Sequence, residues 1–111
     1  MSNAGSSYRE ISPEEAHRTR EELRLRLIDV REASELAADG FIPGAEHVPL
    51  ATVEARALAW SKDDALVMVC RSGARSGRAA AALAAMGFRS VMNMVGGMMA
   101  YRAAGLPITR S

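Results

Sequence analysis

Ala65-Leu66-Val67-Met68-Val69-Cys70 runs straight into Arg71-Ser72-Gly73-Ala74-Arg75 and then into the alanine-rich stretch from Ser76 to Met86. The first six residues form a continuous apolar run of strand length, the pattern of a strand buried on both faces. The next five read as a tight polar loop, and Ser76 to Met86 reads as a helix closed by Gly87. A strand that feeds directly into a helix is the first half of a βαβ unit, so the neighbouring segments should alternate in the same way.

They do so on both sides. Upstream, Tyr8 to Ile11 is a short β-like stretch, and Ser12-Pro13-Glu14-Glu15 opens a helix. Ser12 supplies the cap, Pro13 suits the first helical position and Glu15 completes a capping box, with the helix expected to reach about Leu23. Leu25 to Val30 is a second buried strand, and Glu32 to Ala38 a short helix stopped by Asp39-Gly40. Phe41 to Ala45 is turn chemistry, Glu46 to Pro49 a brief strand, and Ala51 to Trp60 a helix. Downstream, Val91 to Val95 is the last strand, Gly96-Gly97 a turn and Met98 to Ala104 a closing helix. The pattern predicts an α/β fold: one three-layer α/β/α domain over residues 8–111, with a mainly parallel sheet of about five strands. Residues 1–7 are small and polar and read as a disordered, tag-like segment, with neither the basic nor the apolar region of a signal peptide.

Composition narrows the functional classes. The chain has 111 residues, which suits a single core and leaves no room for two. Its formal charge of +1 gives no electrostatic basis for binding nucleic acid or an anionic membrane surface. No stretch approaches the roughly 18 consecutive apolar residues that a membrane span needs. A single cysteine cannot close an internal disulfide, and the cytoplasm is the default compartment for such a chain.

That one thiol sits where an α/β sheet does chemistry, at the carboxyl end of its central strand. The loop after Cys70 enters a helix N-terminus, so backbone N–H groups of residues 71–76 can converge on the sulfur with the helix dipole behind them. Arg71 and Arg75 add positive charge, and Gly73 permits a sharp reversal. All of these favour thiolate, the nucleophilic form. A buried cysteine acting as a small hydrophobe is the competing reading, but it leaves the doubly basic glycine loop without a purpose. One Cys and two distant His residues do not make a metal site, and no phosphate-binding glycine motif is present, so neither metal nor cofactor is expected. His17 lies in a polar helix and His47 beside a proline turn, positions that do not suggest a Cys–His pair. Met92, Met94, Met98 and Met99 read as adaptable core filling or as the wall of a pocket that admits sulfur.

Cys70-Arg71-Ser72-Gly73-Ala74-Arg75-Ser76 resembles the active-site loop of rhodanese-like sulfurtransferases, notably the small single-domain bacterial members. Leu27 to Glu32, Gly40 to Pro49, and Val95 to Tyr101 with Gly105-Leu106-Pro107 resemble three further family segments in the same order. Phe41 stands where the family usually has His, and Tyr101 where it has Trp. The resemblance implies that Cys70 takes sulfur from a small anionic donor as a persulfide and yields it to an external thiol, which can be protein-borne, or to cyanide. It further implies that Arg71, Ser72, Gly73, Ala74 and Arg75 hold the donor or the persulfide, and that Asp29 and Arg31 are structural. Two alternatives stand beside it. A non-catalytic or sulfur-carrying interaction module uses the same fold. A phosphatase or arsenate reductase uses a similar Cys-plus-Arg cradle, with one residue more than the four between Cys70 and Arg75.

Overall fold

The computed structural model describes residues 7–110. Apart from Ser7, the tag-like segment lies outside the described residues, as does Ser111. The chain alternates as expected, through β1 (Arg9–Ile11), α1 (Pro13–Thr19), β2 (Arg26–Asp29), α2 (Ala33–Asp39) and β3 (Glu46–His47). A 3₁₀ turn (Leu50–Thr52) leads into α3 (Val53–Ala57), followed by β4 (Ala65–Val69), α4 (Ala74–Ala85), β5 (Ser90–Met94) and α5 (Gly97–Ala103). The strands form one five-stranded sheet in the order β1-β5-β4-β2-β3, with every pair parallel. The α/β architecture is the one read from the sequence, and β4 is the central strand.

Alternation along β4 divides the core. Leu66, Met68 and Cys70 face one layer with Val53, Ala57, Ala79, Ala80 and Leu83, which come from α3 and α4. Val67 and Val69 face the other, with Ala16 of α1 and Met98 and Tyr101 of α5. Both faces are therefore dry, as the unbroken apolar run requires. Met92 and Met94 of β5 fill the second layer, and Met98 closes it.

Besides shifts of one or two residues at other ends, three helices depart from the sequence reading, each for a local reason. Helix α1 ends at Thr19 and not at Leu23. Glu21 and Glu22 would place negative charge at the negative end of the helix dipole. The chain instead turns through Arg24 at φ 54°, with the Leu25 N–H donating to the Arg20 carbonyl. The helix expected over Ala51–Trp60 is split into the 3₁₀ turn and a short α3, then tightens again, with the Trp60 N–H donating to Ala57 O. Trp60 packs edge-on against Phe88 and under the Arg26 guanidinium, 4.5 Å from its ring centroid. Helix α4 begins at Ala74, two positions before the expected Ser76, because Gly73 takes φ 104° and closes the loop early. Arg75 thus belongs to the first turn of α4 and not to the loop.

A buried ion pair anchors the carboxyl end of β2. Arg31 donates to both Asp29 oxygens and to the Gly40 carbonyl, with both side chains 1% exposed. His47 is joined to the Arg31 carbonyl at 2.8 Å. The departures at Phe41 and Tyr101 are absorbed structurally. Phe41 exchanges backbone hydrogen bonds with Thr109, and the buried Tyr101 hydroxyl donates to Pro107 O at 2.7 Å. Breaking the ion pair by Arg31→Leu strands a buried carboxylate, and a loss of about 3–5 kcal/mol is expected in urea unfolding. A loss under about 1 kcal/mol would show that the pair is dispensable.

Candidate active site

Cys70 follows the last residue of β4 and is 1% exposed. Its Sγ accepts hydrogen bonds from the Gly73 N–H at 3.1 Å and the Ser76 N–H at 3.4 Å, and the Ser76 hydroxyl lies 3.3 Å from it. Burial pushes the thiol up. The Ser76 hydroxyl, the Ser76 and Gly73 N–H groups and the Ser72 N–H outweigh that, and the net result lies below the ordinary value of 9.0. Gly73 and Ser72 are therefore joined by Ser76, whose N–H belongs to the expected set and whose hydroxyl the sequence does not announce.

The loop is held open from outside. The Met98 N–H donates to Cys70 O at 2.8 Å and the Met99 N–H to Arg71 O at 3.0 Å. A trans peptide sets each carbonyl opposite the following N–H. Pinning these two carbonyls to the start of α5 turns the N–H groups of Arg71 and Ser72 away from α5, and that of Ser72 helps to lower the thiol. Gly97 makes this approach possible. It adopts φ 57°, and a Cβ there would collide with the carbonyl oxygens of Cys70 and Arg71.

The two arginines play different parts. Arg75 is bound to Glu35 of α2 by two hydrogen bonds of 2.7 and 2.8 Å, a forked pair that ties α4 to α2. Arg75 holds the Glu35 carboxyl down at about 2, and Glu35 raises the Arg75 guanidinium further. Arg71 is exposed and lines a cleft of about 280 Å³ with Arg31, Asp39, Met98, Met99 and Arg102. None of the Arg71, Ala74 and Arg75 N–H groups donates to Sγ. Neither histidine approaches the thiol by a hydrogen bond: His17 is exposed on α1 and His47 is engaged by Arg31 O.

Asn93 is a member of the site that sequence patterning does not single out. It lies on β5, 4% exposed, donates to Gly73 O at 3.1 Å and accepts from the Ser76 hydroxyl at 2.6 Å. A polar residue inside the apolar run Val91-Met92-Asn93-Met94 is a readable signal, since a buried amide must find partners. Gly77 on the facing helix packs close to it, a Cβ there standing 3.4 Å from Asn93 Nδ2.

The geometry is that of a buried thiol in a cradle of backbone donors beside an arginine-lined cleft. The sequence model described as Rhodanese-like domain matches residues 12–104. A sulfurtransferase of Allochromatium vinosum is 42% identical over 82 residues, covering 74% of this chain and 76% of the relative. The thiosulfate sulfurtransferase GlpE of Pseudomonas putida is 34% identical over 98 residues, 88% of either chain. The crystal structure of a rhodanese-related protein from Thermoplasma volcanium superposes with a TM-score of 0.85 over 94% of this chain and 100% of its own, at 23% identity, which speaks to fold alone.

Two outcomes follow from the geometry. Gly97→Ala should displace the loop and slow alkylation of Cys70 by at least about tenfold while the protein stays folded by circular dichroism; alkylation at the parent rate would contradict the clamp. Glu35 is depressed from 4.5 to about 2, so its pairing contributes stability in full above pH 4.5, and this is lost as pH falls through about 2. The stability gap between the parent and Glu35→Gln should therefore close across that window in acid unfolding, and a constant gap would contradict the pairing.

Proposed function

This chain belongs to the rhodanese-like domain family, and from that membership we propose that it is a sulfurtransferase working through a persulfide on Cys70. The observation that carries the reading is the lone thiol, buried at the carboxyl end of the central strand and held below its ordinary pKa by donors from the loop and α4. Cys70 thiolate attacks the outer sulfur of a small anionic donor such as thiosulfate, polysulfide or a persulfide. The sulfur–sulfur bond of the donor breaks, and the rest of the donor leaves with the electron pair, as sulfite in the case of thiosulfate. An acceptor thiolate or cyanide then attacks the outer sulfur of the persulfide, and Cys70 departs as thiolate. The two steps balance without an oxidant or a cofactor.

In this scheme the outer sulfur lies within the loop. The N–H groups of Ala74 and Arg75, in the first turn of α4 and without intrahelical acceptors, join those of Ser72 and Gly73 in holding its charge. Arg71 guides the anionic donor in through the cleft, and the Ser72 hydroxyl donates a hydrogen bond to it. Arg75 acts through Glu35 to fix the loop against α2. That same pair argues against an oxyanion-cradling phosphatase, because the guanidinium is already bidentate to a carboxylate. The single cysteine leaves no internal resolving thiol, so sulfur leaves to an external acceptor, small or protein-borne, and a sulfur-carrying role belongs to the same chemistry. A thiol that must stay reduced between turnovers suits the cytoplasm.

Intact-mass analysis after exposure to thiosulfate or polysulfide should show one added sulfur, removed by cyanide or reductant and absent in Cys70→Ser. Folded protein that gains no sulfur from any of these donors would overturn the proposal, and robust Cys70-dependent hydrolysis of phosphate esters would favour the phosphatase in its place.

A further inference from the structure

Asp29, Arg31, Ser76 and Asn93 are polar or charged side chains buried in the fold. The first two satisfy each other. The last two form a ring with the active-site loop, running from Cys70 Sγ to the Ser76 hydroxyl, to Asn93, to the Gly73 carbonyl, and back through the Gly73 N–H to the sulfur.

The ring contains a conflict over one proton. The Gly73 carbonyl can only accept, so the NH₂ end of Asn93 faces it, which turns Asn93 Oδ1 toward Ser76. Oδ1 carries no hydrogen, so the 2.6 Å contact uses the only proton that the Ser76 hydroxyl has. Cys70 Sγ stands 3.3 Å from the same hydroxyl and competes for that proton. A neutral thiol is a weak acceptor and loses to the amide oxygen. A thiolate is a strong one, but taking the proton leaves a buried amide oxygen without a donor, which is unfavourable.

We propose that Asn93 is a positioning residue that competes with the Cys70 sulfur for the Ser76 hydroxyl proton, the proton pointing to Asn93 beside the thiol and to the sulfur beside the thiolate. On ionisation the thiol proton goes to solvent, while Ser76 keeps its own and rotates it from Oδ1 to Sγ. No proton is gained or lost by Ser76 or Asn93. Asn93 thereby limits how far the hydroxyl stabilises the thiolate. That limit matters to a sulfur which must attack as well as leave, because nucleophilicity falls as thiolate stability rises. The charged groups around the sulfur are Arg71 next to it in the chain and Arg75 on α4, the latter paired with Glu35 of α2 and within electrostatic reach of Asp29 on β2. None of these charges changes when Asn93 or Ser76 is replaced; Asn93→Leu also removes the donor to the Gly73 carbonyl, and the Ser76→Ala background reads that loss by itself.

The inference rests on Cys70 being the working nucleophile, and its test needs no sulfur donor. The pH dependence of iodoacetamide alkylation reads the thiol in the parent, Asn93→Leu, Ser76→Ala and the double variant, each checked for folding by circular dichroism. Asn93→Leu should lower the apparent pKa and speed alkylation in the acidic limb by about threefold, the gain in thiolate being partly offset by its lower nucleophilicity. Ser76→Ala should raise the apparent pKa, and the double variant should not fall below Ser76→Ala, because without the hydroxyl there is no proton for Asn93 to compete for and losing its hydrogen bond to the Gly73 carbonyl removes support from a donor to the sulfur. An unchanged or raised pKa in Asn93→Leu, the same shift persisting in the Ser76→Ala background, or a lowered pKa in Ser76→Ala would each overturn it. Should Asn93→Leu fail to fold, the side-chain carbonyl ¹³C resonance of Asn93 in the parent protein is expected to titrate with Cys70, and a stationary resonance overturns the proposal. Failure of sulfur loading with these alkylation results intact would instead fault the assigned reaction.

Discussion

Two backbone hydrogen bonds join the end of the central strand to the start of the last helix, from the Met98 N–H to Cys70 O and from the Met99 N–H to Arg71 O. They involve no side chain, yet the site depends on them. Planar trans peptides convert two fixed carbonyls into two fixed N–H directions, so the loop cannot relax to point its donors at water. Gly97 permits the contact, because any side chain there would strike the same two carbonyls. The Gly-Gly pair that reads in the sequence as a turn is a docking surface for the loop as well. The parallel sheet serves this joint in its turn, since it brings the carboxyl end of β4 beside that of β5, from which α5 starts.

Dipoles and not full charges dominate at the sulfur. Arg71 and Arg75 look in the sequence like the source of positive potential at Cys70. In the fold, Arg75 is occupied by Glu35 and Arg71 lies out in the cleft, while the groups that lower the thiol are hydroxyl and backbone donors. The backbone dipoles among them are fixed and need no reorganisation when the charge at the sulfur changes. Exposed arginines are better suited to gathering an anion than to holding a reaction centre.

The order of strands and helices was legible because the strands are apolar runs and the first helix carries its cap, with Ser12 accepting from the Glu15 N–H. Cys70 was legible because a lone cysteine between a buried strand and a glycine loop stands where an α/β sheet places its reactive groups. Helix ends were less so, because the Arg24 turn and the early start of α4 at Gly73 are settled by backbone conformations that neighbouring residues do not announce. The partner of Arg75 lies on another helix, and Asn93 acts from another strand. Their contacts come from packing, which periodicity in one segment cannot report. Asn93 left only the trace of a polar residue in an apolar strand.

The central claim is that the sulfur chemistry of this chain is held by the backbone of residues 72–76 and not by arginine side chains. A crystal structure of the sulfur-loaded protein tests it most directly. The account predicts the outer sulfur inside the loop, within hydrogen-bonding distance of N–H groups between Ser72 and Arg75, with the Arg75–Glu35 pair intact. An outer sulfur turned out into the cleft and held by the Arg71 or Arg75 guanidinium would contradict it.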